Sequence, residues 1–252
     1  MAVVEFQNVS KSFPHSTGRV LLRHHILSWF GERRVAPFFA LKNISFKLEE
    51  GESVAVVGPN GAGKSTMLSM VAGLAKPNRG RVTVNGRVAA LLELGSGFHP
   101  DLTGAENLIL NASLLGLDRK TTMRLFGKIV EFAGAGVEDF INEPLRTYSN
   151  GMSMRLAFSV AINTSPDLLL VDEVLAVGDK DFKVKCNDAL HEMRRAGKSI
   201  LAVSHAMDSV QTLCDRAIWL DHGEVVMDGA VSAVIEAYEG RPADLAETPS
   251  AS

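Results

Sequence analysis

Between strand-like and helix-like stretches the chain reads Gly58-Pro59-Asn60-Gly61-Ala62-Gly63-Lys64-Ser65. This is the pattern G-x-x-x-x-G-K-[ST], and each residue type in it meets a need of phosphate binding. Glycines let successive backbone N–H groups converge on phosphate oxygens, and the start of the following helix adds donors and a positive dipole. Lys64 would reach the β- and γ-phosphates of a nucleoside triphosphate. The Ser65 hydroxyl would take one Mg²⁺ position, and Thr66 follows it in the same turn of the ATP-binding set. The competing reading is an accidental glycine-rich turn. Such a match arises by chance in about one chain per hundred of this length, and the strand-loop-helix context makes it rarer.

A second cluster of chemistry lies downstream. Leu168-Leu169-Leu170-Val171-Asp172-Glu173 is an apolar strand ending in two adjacent acids, which a buried sheet would present at its C-terminal edge. Asp172 would hold Mg²⁺, through water, and Glu173 would polarise an attacking water. His205 follows the strand Ile200–Val203 and Ser204. A third strand end on the same edge would let its imidazole hydrogen-bond a γ-phosphate.

These residues need an alternating framework to hold them. Strands are expected at Val3–Val9, Ala40–Leu48, Ser53–Val57, around Val82 and Val84, and at Leu168–Val171 and Ile200–Val203. In the first, Val3, Glu5, Gln7 and Val9 would share one face. Helices are expected at Ser65–Ala75, across Leu102–Phe140, and at Met152–Asn163, Lys180–Ala196 and Asp208–Cys214. Ile218–Leu220 and Val225–Met227 flank Asp221-His222-Gly223-Glu224, a hairpin turn. Strands alternating with helices imply an α/β architecture with a largely parallel sheet.

Composition removes several alternatives. At 46% hydrophobic and 22% charged, the chain is neither collagen-like nor disordered. Its 26 basic and 29 acidic residues leave a formal charge of −3, which excludes a strongly basic nucleic-acid binder. Cys186 and Cys214 are too few for a disulfide framework and lack ligand partners at finger spacing, so a reducing, cytosolic setting is expected. No window approaches the about 18 apolar residues of a membrane span, and no signal peptide opens the chain. The last residues, from Arg241, are polar and expected to be disordered.

Upstream of the acids lies Tyr148-Ser149-Asn150-Gly151-Met152-Ser153-Met154-Arg155. A serine and a glycine at a helix start make an anion site. The segment resembles the signature sequence of ABC-type ATPases, with Ser149 and Gly151 kept and three neighbours altered. The resemblance covers Ala2 to about Gly240. It implies a P-loop NTPase (RecA-like) core spanning residues 1–240, with a helical subdomain inserted at about 94–160. It also implies ATP and Mg²⁺ as ligands, and a homodimer in which Ser149 and Gly151 face the γ-phosphate bound by the opposite subunit.

The likeness narrows to ATP-binding subunits of polysaccharide exporters of the O-antigen, capsule and teichoic-acid types. The segment from Leu91 through Gly95-Ser96-Gly97-Phe98-His99-Pro100 to Gly104 is similar to theirs. So is Asp172-Glu173-Val174-Leu175-Ala176-Val177-Gly178-Asp179, in which Asp179 would touch across the dimer. The family's Mg²⁺-contacting glutamine is missing from the core-to-helical linker. Glu93 stands nearest to it, an acid where a neutral amide is usual, and would be the substitute at the metal. The resemblance implies that Phe13 stacks on adenine. An insertion at Pro14–Pro37 carries Leu22, Ile26, Trp29 and Phe30 at helical spacing with basic neighbours. That stripe suits either the membrane surface and permease or the protein's own core. Phe98 and Pro100 suit either docking of a permease helix or a plain turn.

The expectation is therefore an ATP-hydrolysing subunit on the cytoplasmic face of a bacterial inner membrane. It would act peripherally and power a separate transmembrane permease dimer that exports a lipid-linked polysaccharide. The chain ends too early for the carbohydrate-binding domain of some exporters, so specificity is expected to lie in the membrane partner. Export of a lipid or drug is the alternative, and a soluble non-transport ABC protein a more distant one.

Overall fold

The computed structural model describes residues 1–14, 37–91, 95, 97–172, 179–204 and 207–240. The strands are β1 (Ala2–Phe13), β2 (Phe38–Glu49), β3 (Ser53–Val57), β4 (Arg79–Val84), β5 (Val88–Ala90), β6 (Leu168–Val171), β7 (Ser199–Val203), β8 (Arg216–Asp221) and β9 (Glu224–Ala230). The α-helices are α1 (Lys64–Val71), α2 (Gly104–Leu114), α3 (Arg119–Ala133), α4 (Ala135–Glu138) and α5 (Asn150–Asn163). They continue with α6 (Lys180–Arg195), α7 (Met207–Leu213) and α8 (Val231–Glu239).

The central sheet runs β5-β6-β7-β3-β8-β9, parallel except for the β8–β9 hairpin. β3, β6 and β7 are buried at every position, which is why they read as unbroken apolar runs rather than alternating ones. Their side chains still alternate between two cores. Val54, Val56, Leu168, Leu170, Leu201 and Val203 join Met67 and Leu68 of α1 on one face. Ala55, Val57, Leu169, Val171 and Ile200 join Phe158, Phe182, Leu190 and Ile235 of the helices on the other.

A second, three-stranded antiparallel sheet, β2-β1-β4, lies outside the largely parallel architecture expected from the sequence. It closes the α1 side of the core through Phe6, Val9, Leu41 and Ile44. The face assignment for β1 needs correction. Asn8 has φ of 50°, and the β1–β2 register shifts between Phe6 and Val9. The bulge turns Val9 into the same core as Phe6, while Gln7 stays exposed.

The remaining helices form a third cluster. Leu108 of α2, Ile129 of α3, Val137 of α4, and Leu156 and Val160 of α5 pack together. Thr103 starts α2 with a complete capping box to Glu106, and Asp118 accepts from the Thr121 N–H at 2.9 Å to start α3. The span expected as helix-rich is thus three separate helices. Three elements went unforeseen, the short strand β5, a 3-10 turn at Leu145–Thr147 and the terminal helix α8. The β8–β9 turn places His222 at φ 47° and Gly223 at φ 79°, the mirror-image turn whose twist matches a hairpin. Among the described residues no helix is long and apolar enough to cross a membrane. The insertion, apart from Pro14 and Pro37, lies outside the described residues, as does the tail 241–252.

Candidate functional site

β3 ends at Val57 and the chain turns at once into Gly58, which approaches β8 so closely that a Cβ there would lie 2.1 Å from the Leu220 carbonyl oxygen. The loop closes at Gly63, φ 105°, where a Cβ would lie 2.3 Å from the Ala40 carbonyl oxygen and 2.7 Å from Leu41 Cδ2. Both glycines are therefore required by contact with neighbouring strands as well as by backbone conformation. Gly63 is also the N-cap of α1, and no side chain caps that helix. The positive end of the helix dipole lies there and favours an anion.

Lys64 is 7% exposed, and its ammonium donates to the carbonyl oxygens of Gly58 at 2.8 Å and Pro59 at 2.9 Å. A buried cation needs such acceptors. The lysine thus clasps the loop's own backbone and lines a cleft of about 390 Å³. Residues of the phosphate loop and the start of α1 line it together with Asp172, Val203, Phe13, Phe38 and Ala40. Asp172 reaches the cleft because β6 runs parallel to β7, and β7 to β3, so all three end on one edge. Ser65 and Asp172 offer a hydroxyl and a carboxylate, hard oxygen donors that suit Mg²⁺ shared with phosphate oxygens. Among the described residues no group of three or more His, Cys, Asp or Glu side chains could hold a metal by itself.

Ser149 and Gly151 are not among the residues lining this cleft. Ser149 is the N-cap of α5, accepting from the Met152 N–H at 3.2 Å. It is exposed, and a Cβ on Gly151 would meet only Ser149 Oγ, at 3.8 Å. Among the described residues nothing else outside its own helix lies within 4 Å of that Cβ position. Asp179 caps α6 by accepting from the Phe182 N–H at 3.0 Å, and its other oxygen pairs with Arg155 of α5. The Phe182 N–H holds its carboxyl below the usual range, and Arg155 adds to the effect. A second cleft, of about 380 Å³, gathers Gly95, Phe98, Pro100 and Leu145 against Asn150, Ser153 and Met154 of the same helix start.

A family model described as ABC transporter matches residues 41–176. The O-antigen export system ATP-binding protein RfbB of Klebsiella pneumoniae is 45% identical over 248 residues, covering 94% of this chain and 97% of that protein. The chain belongs to the ABC transporter family. The teichoic acids export ATP-binding protein TagH of Listeria monocytogenes serotype 4b is 40% identical over 207 residues, 82% of this chain and 61% of its own length. Among solved structures, an ATP-binding subunit of an ABC transporter superposes with a TM-score of 0.75 at 23% identity, covering 96% of each chain. A dimeric post-hydrolysis state of the ATP-binding cassette MJ0796 bound to ADP and Pi gives 0.71, also at 23% identity. At that identity the structures speak to the fold, a P-loop ABC ATPase core.

In this ABC cassette Glu173, His205 and Glu93 lie outside the described residues. Their neighbours Asp172 and Ser204 stand at the ends of β6 and β7. Three features of the site were not foreseen. Phe38 and Ala40 line the cleft, Arg155 holds Asp179, and Gly223 presses on the same carbonyl as Gly63, its Cβ position being 2.8 Å from Ala40 O. A period-2 reading of Phe38-Phe39-Ala40 puts Phe38 and Ala40 on one face, the available signal for the first. Cys186 and Cys214 are buried, free thiols that desolvation pushes up to about 12, so they are packing residues.

Proposed function

We propose that this chain is the ATPase subunit of an ABC transporter that exports a surface polysaccharide through a separate permease. The observation that carries the nucleotide part is the joining of Lys64, Ser65, Asp172 and an aromatic wall in one cleft. The substrate class rests on likeness to proteins named for O-antigen and teichoic acid export.

In this reading residues 1–240 are one ATPase unit, with residues 94–160 its helical part. The N–H groups at the start of α1 and the Lys64 ammonium hold the triphosphate, and Phe13 stacks on adenine. Ser65 and Asp172 would hold Mg²⁺, with Glu93 the substitute for the usual glutamine, and bound Mg²⁺ would supply charge screening at the phosphate oxygens. Glu173 accepts a proton from the attacking water while His205 hydrogen-bonds the γ-phosphate. Ser149 and Gly151 of the partner subunit complete the site, and Asp179 contacts the partner. Support comes from the place of Ser149 and Gly151, outside the cleft of their own chain, with Ser149 exposed. ATP then favours the closed homodimer, and loss of the γ-phosphate releases it. The cleft holding Phe98 and Pro100 receives the permease, which places the subunit at the cytoplasmic face of the membrane.

Glu173→Gln is expected to dimerise with ATP in size-exclusion chromatography while phosphate release nearly stops. Near-normal release removes Glu173 from the role of base. Turnover unchanged in a Ser149→Ala, Gly151→Ala double variant sinks the two-subunit site. Deletion of the co-purifying permease is expected to remove surface polysaccharide; an unchanged cell surface sinks the substrate class.

A further inference from the structure

Part of the cleft's lining comes from one β-ribbon. Phe13 of β1 and Phe38 of β2 are directly opposite each other in the antiparallel register, so both rings leave the same face. Both line the cleft, and they are 42% and 50% exposed. They are differently placed, however. Lys11 Nζ lies 5.2 Å from the centroid of the Phe13 ring, so a cation occupies one side of it. Among the described residues Phe38 makes no ring contact.

Phe38 is also the better anchored of the two to the phosphate end. Two residues along the same face, Ala40 is buried and presents its carbonyl oxygen to Gly63, with 2.3 Å between that oxygen and the position of a Cβ. Gly223 presses on the same carbonyl, donates its N–H to Ala62 O at 3.1 Å and accepts from the Lys42 N–H at 2.7 Å. The strand that carries Phe38 is therefore fastened to the phosphate loop by backbone contacts, with no flexible side chain between. Phe13 takes its position through pairing with β2 and through the adjacent Ser12 N–H, which donates to Asn78 Oδ1 at 2.8 Å.

We propose that Phe38 is a second base-binding residue, a π-surface on which the nucleobase of ATP rests beside Phe13. This inference rests on the nucleotide reading above. The side chains that this ribbon contributes to the cleft, Phe13, Phe38 and Ala40, carry no hydrogen-bond donor or acceptor. Recognition there is by ring area, which every nucleobase offers.

The test compares ATP, GTP and inorganic tripolyphosphate by calorimetric titration of the full chain. Phe38→Ala is expected to weaken ATP and GTP by a similar factor, about fivefold or more, and to leave tripolyphosphate unchanged. Phe38→Trp is expected to restore both nucleotides. Phe39→Ala, one residue on and on the opposite strand face, is expected to change none of the three. If Phe38→Ala does not fold, Phe38→Leu keeps the apolar bulk and removes only the π-face, with the same loss expected. Unchanged ATP affinity in a folded Phe38 variant overturns the proposal, as does an equal loss for tripolyphosphate or a loss confined to ATP. A wild-type chain that binds neither ATP nor tripolyphosphate sinks the nucleotide reading itself, a different result.

Discussion

The signature segment is fastened to the start of α2 by a contact that one methyl group would break. Gly104 is the first residue of α2, and a Cβ there would stand 2.1 Å from the Tyr148 hydroxyl oxygen and 3.0 Å from Cζ. That hydroxyl donates to the Phe140 carbonyl at 2.7 Å, and the two rings meet edge to face at 6.5 Å. Ordinary contact needs about 3.5 Å, so Gly104→Ala must drive the ring end away by more than an ångström. The hydrogen bond is lost, worth about 1 kcal/mol net, together with part of an aromatic contact worth about 0.5–1.5 kcal/mol. Alanine returns at most about 1 kcal/mol through helix propensity, less in a first turn. The net is a destabilisation of about 1 kcal/mol, a shift of about 2–4 °C in melting temperature for a chain of this size.

Activity is expected to fall much further, by about tenfold, because a displaced Tyr148 carries Ser149 with it and such misplacement is costly in rate. Urea unfolding and phosphate release, measured on Gly104→Ala, Tyr148→Phe and the double variant, separate the two effects. Phenylalanine removes the oxygen that clashes, so the double variant should recover about 1 kcal/mol relative to the sum of the single ones. Strict additivity, or a Gly104→Ala protein with wild-type turnover, refutes the coupling between α2 and the signature segment.

Other outcomes follow from the packing. Leu108 is fully buried in the helical cluster, and Leu108→Ala is expected to cost about 2–5 kcal/mol, read as a lower urea midpoint. Cys186 and Cys214, both raised to about 12 by burial, should resist a thiol reagent at pH 8 and react at once in urea. Asp167 accepts from the Arg87 N–H at 2.9 Å and Lys198 Nζ at 3.0 Å, which together hold its carboxyl below the ordinary 3.8. A lowered folded-state value means the stabilisation is complete above 3.8 and drains away as pH falls through the folded value. Asp167→Asn should therefore flatten the acid limb of urea midpoints recorded between pH 6 and pH 3; an unchanged limb would remove Asp167 as a contributor.

What could be read in the linear chain was whatever answers to local demands. The phosphate loop needs certain backbone angles, a cation and a hydroxyl within eight consecutive residues, so Gly58 to Ser65 announce themselves. The strands carrying the loop and Asp172 are covered on both faces, so their burial is written as unbroken apolar runs. The helix start at Ser149 was legible as a short polar residue ahead of helical spacing, because a cap reaches only two or three residues on.

Tertiary structure alone decided the contacts between distant segments. β5 is three residues, Val88-Ala89-Ala90, too short to carry a pattern; it exists because Leu168, Leu169 and Leu170 pair with it. The antiparallel sheet joins β1 to partners on either side of the loop, and the bulge at Asn8 reversed a face that simple alternation had assigned. Gly104 resembles any first-turn glycine until Tyr148 arrives from the far end of the helical cluster. Phe38 acquires its place opposite Phe13 through strand register, and its hold on the phosphate loop through Ala40, Gly63 and Gly223. Sequence spacing records torsions and caps that act over a few residues, whereas steric contact between segments depends on where folding brings them.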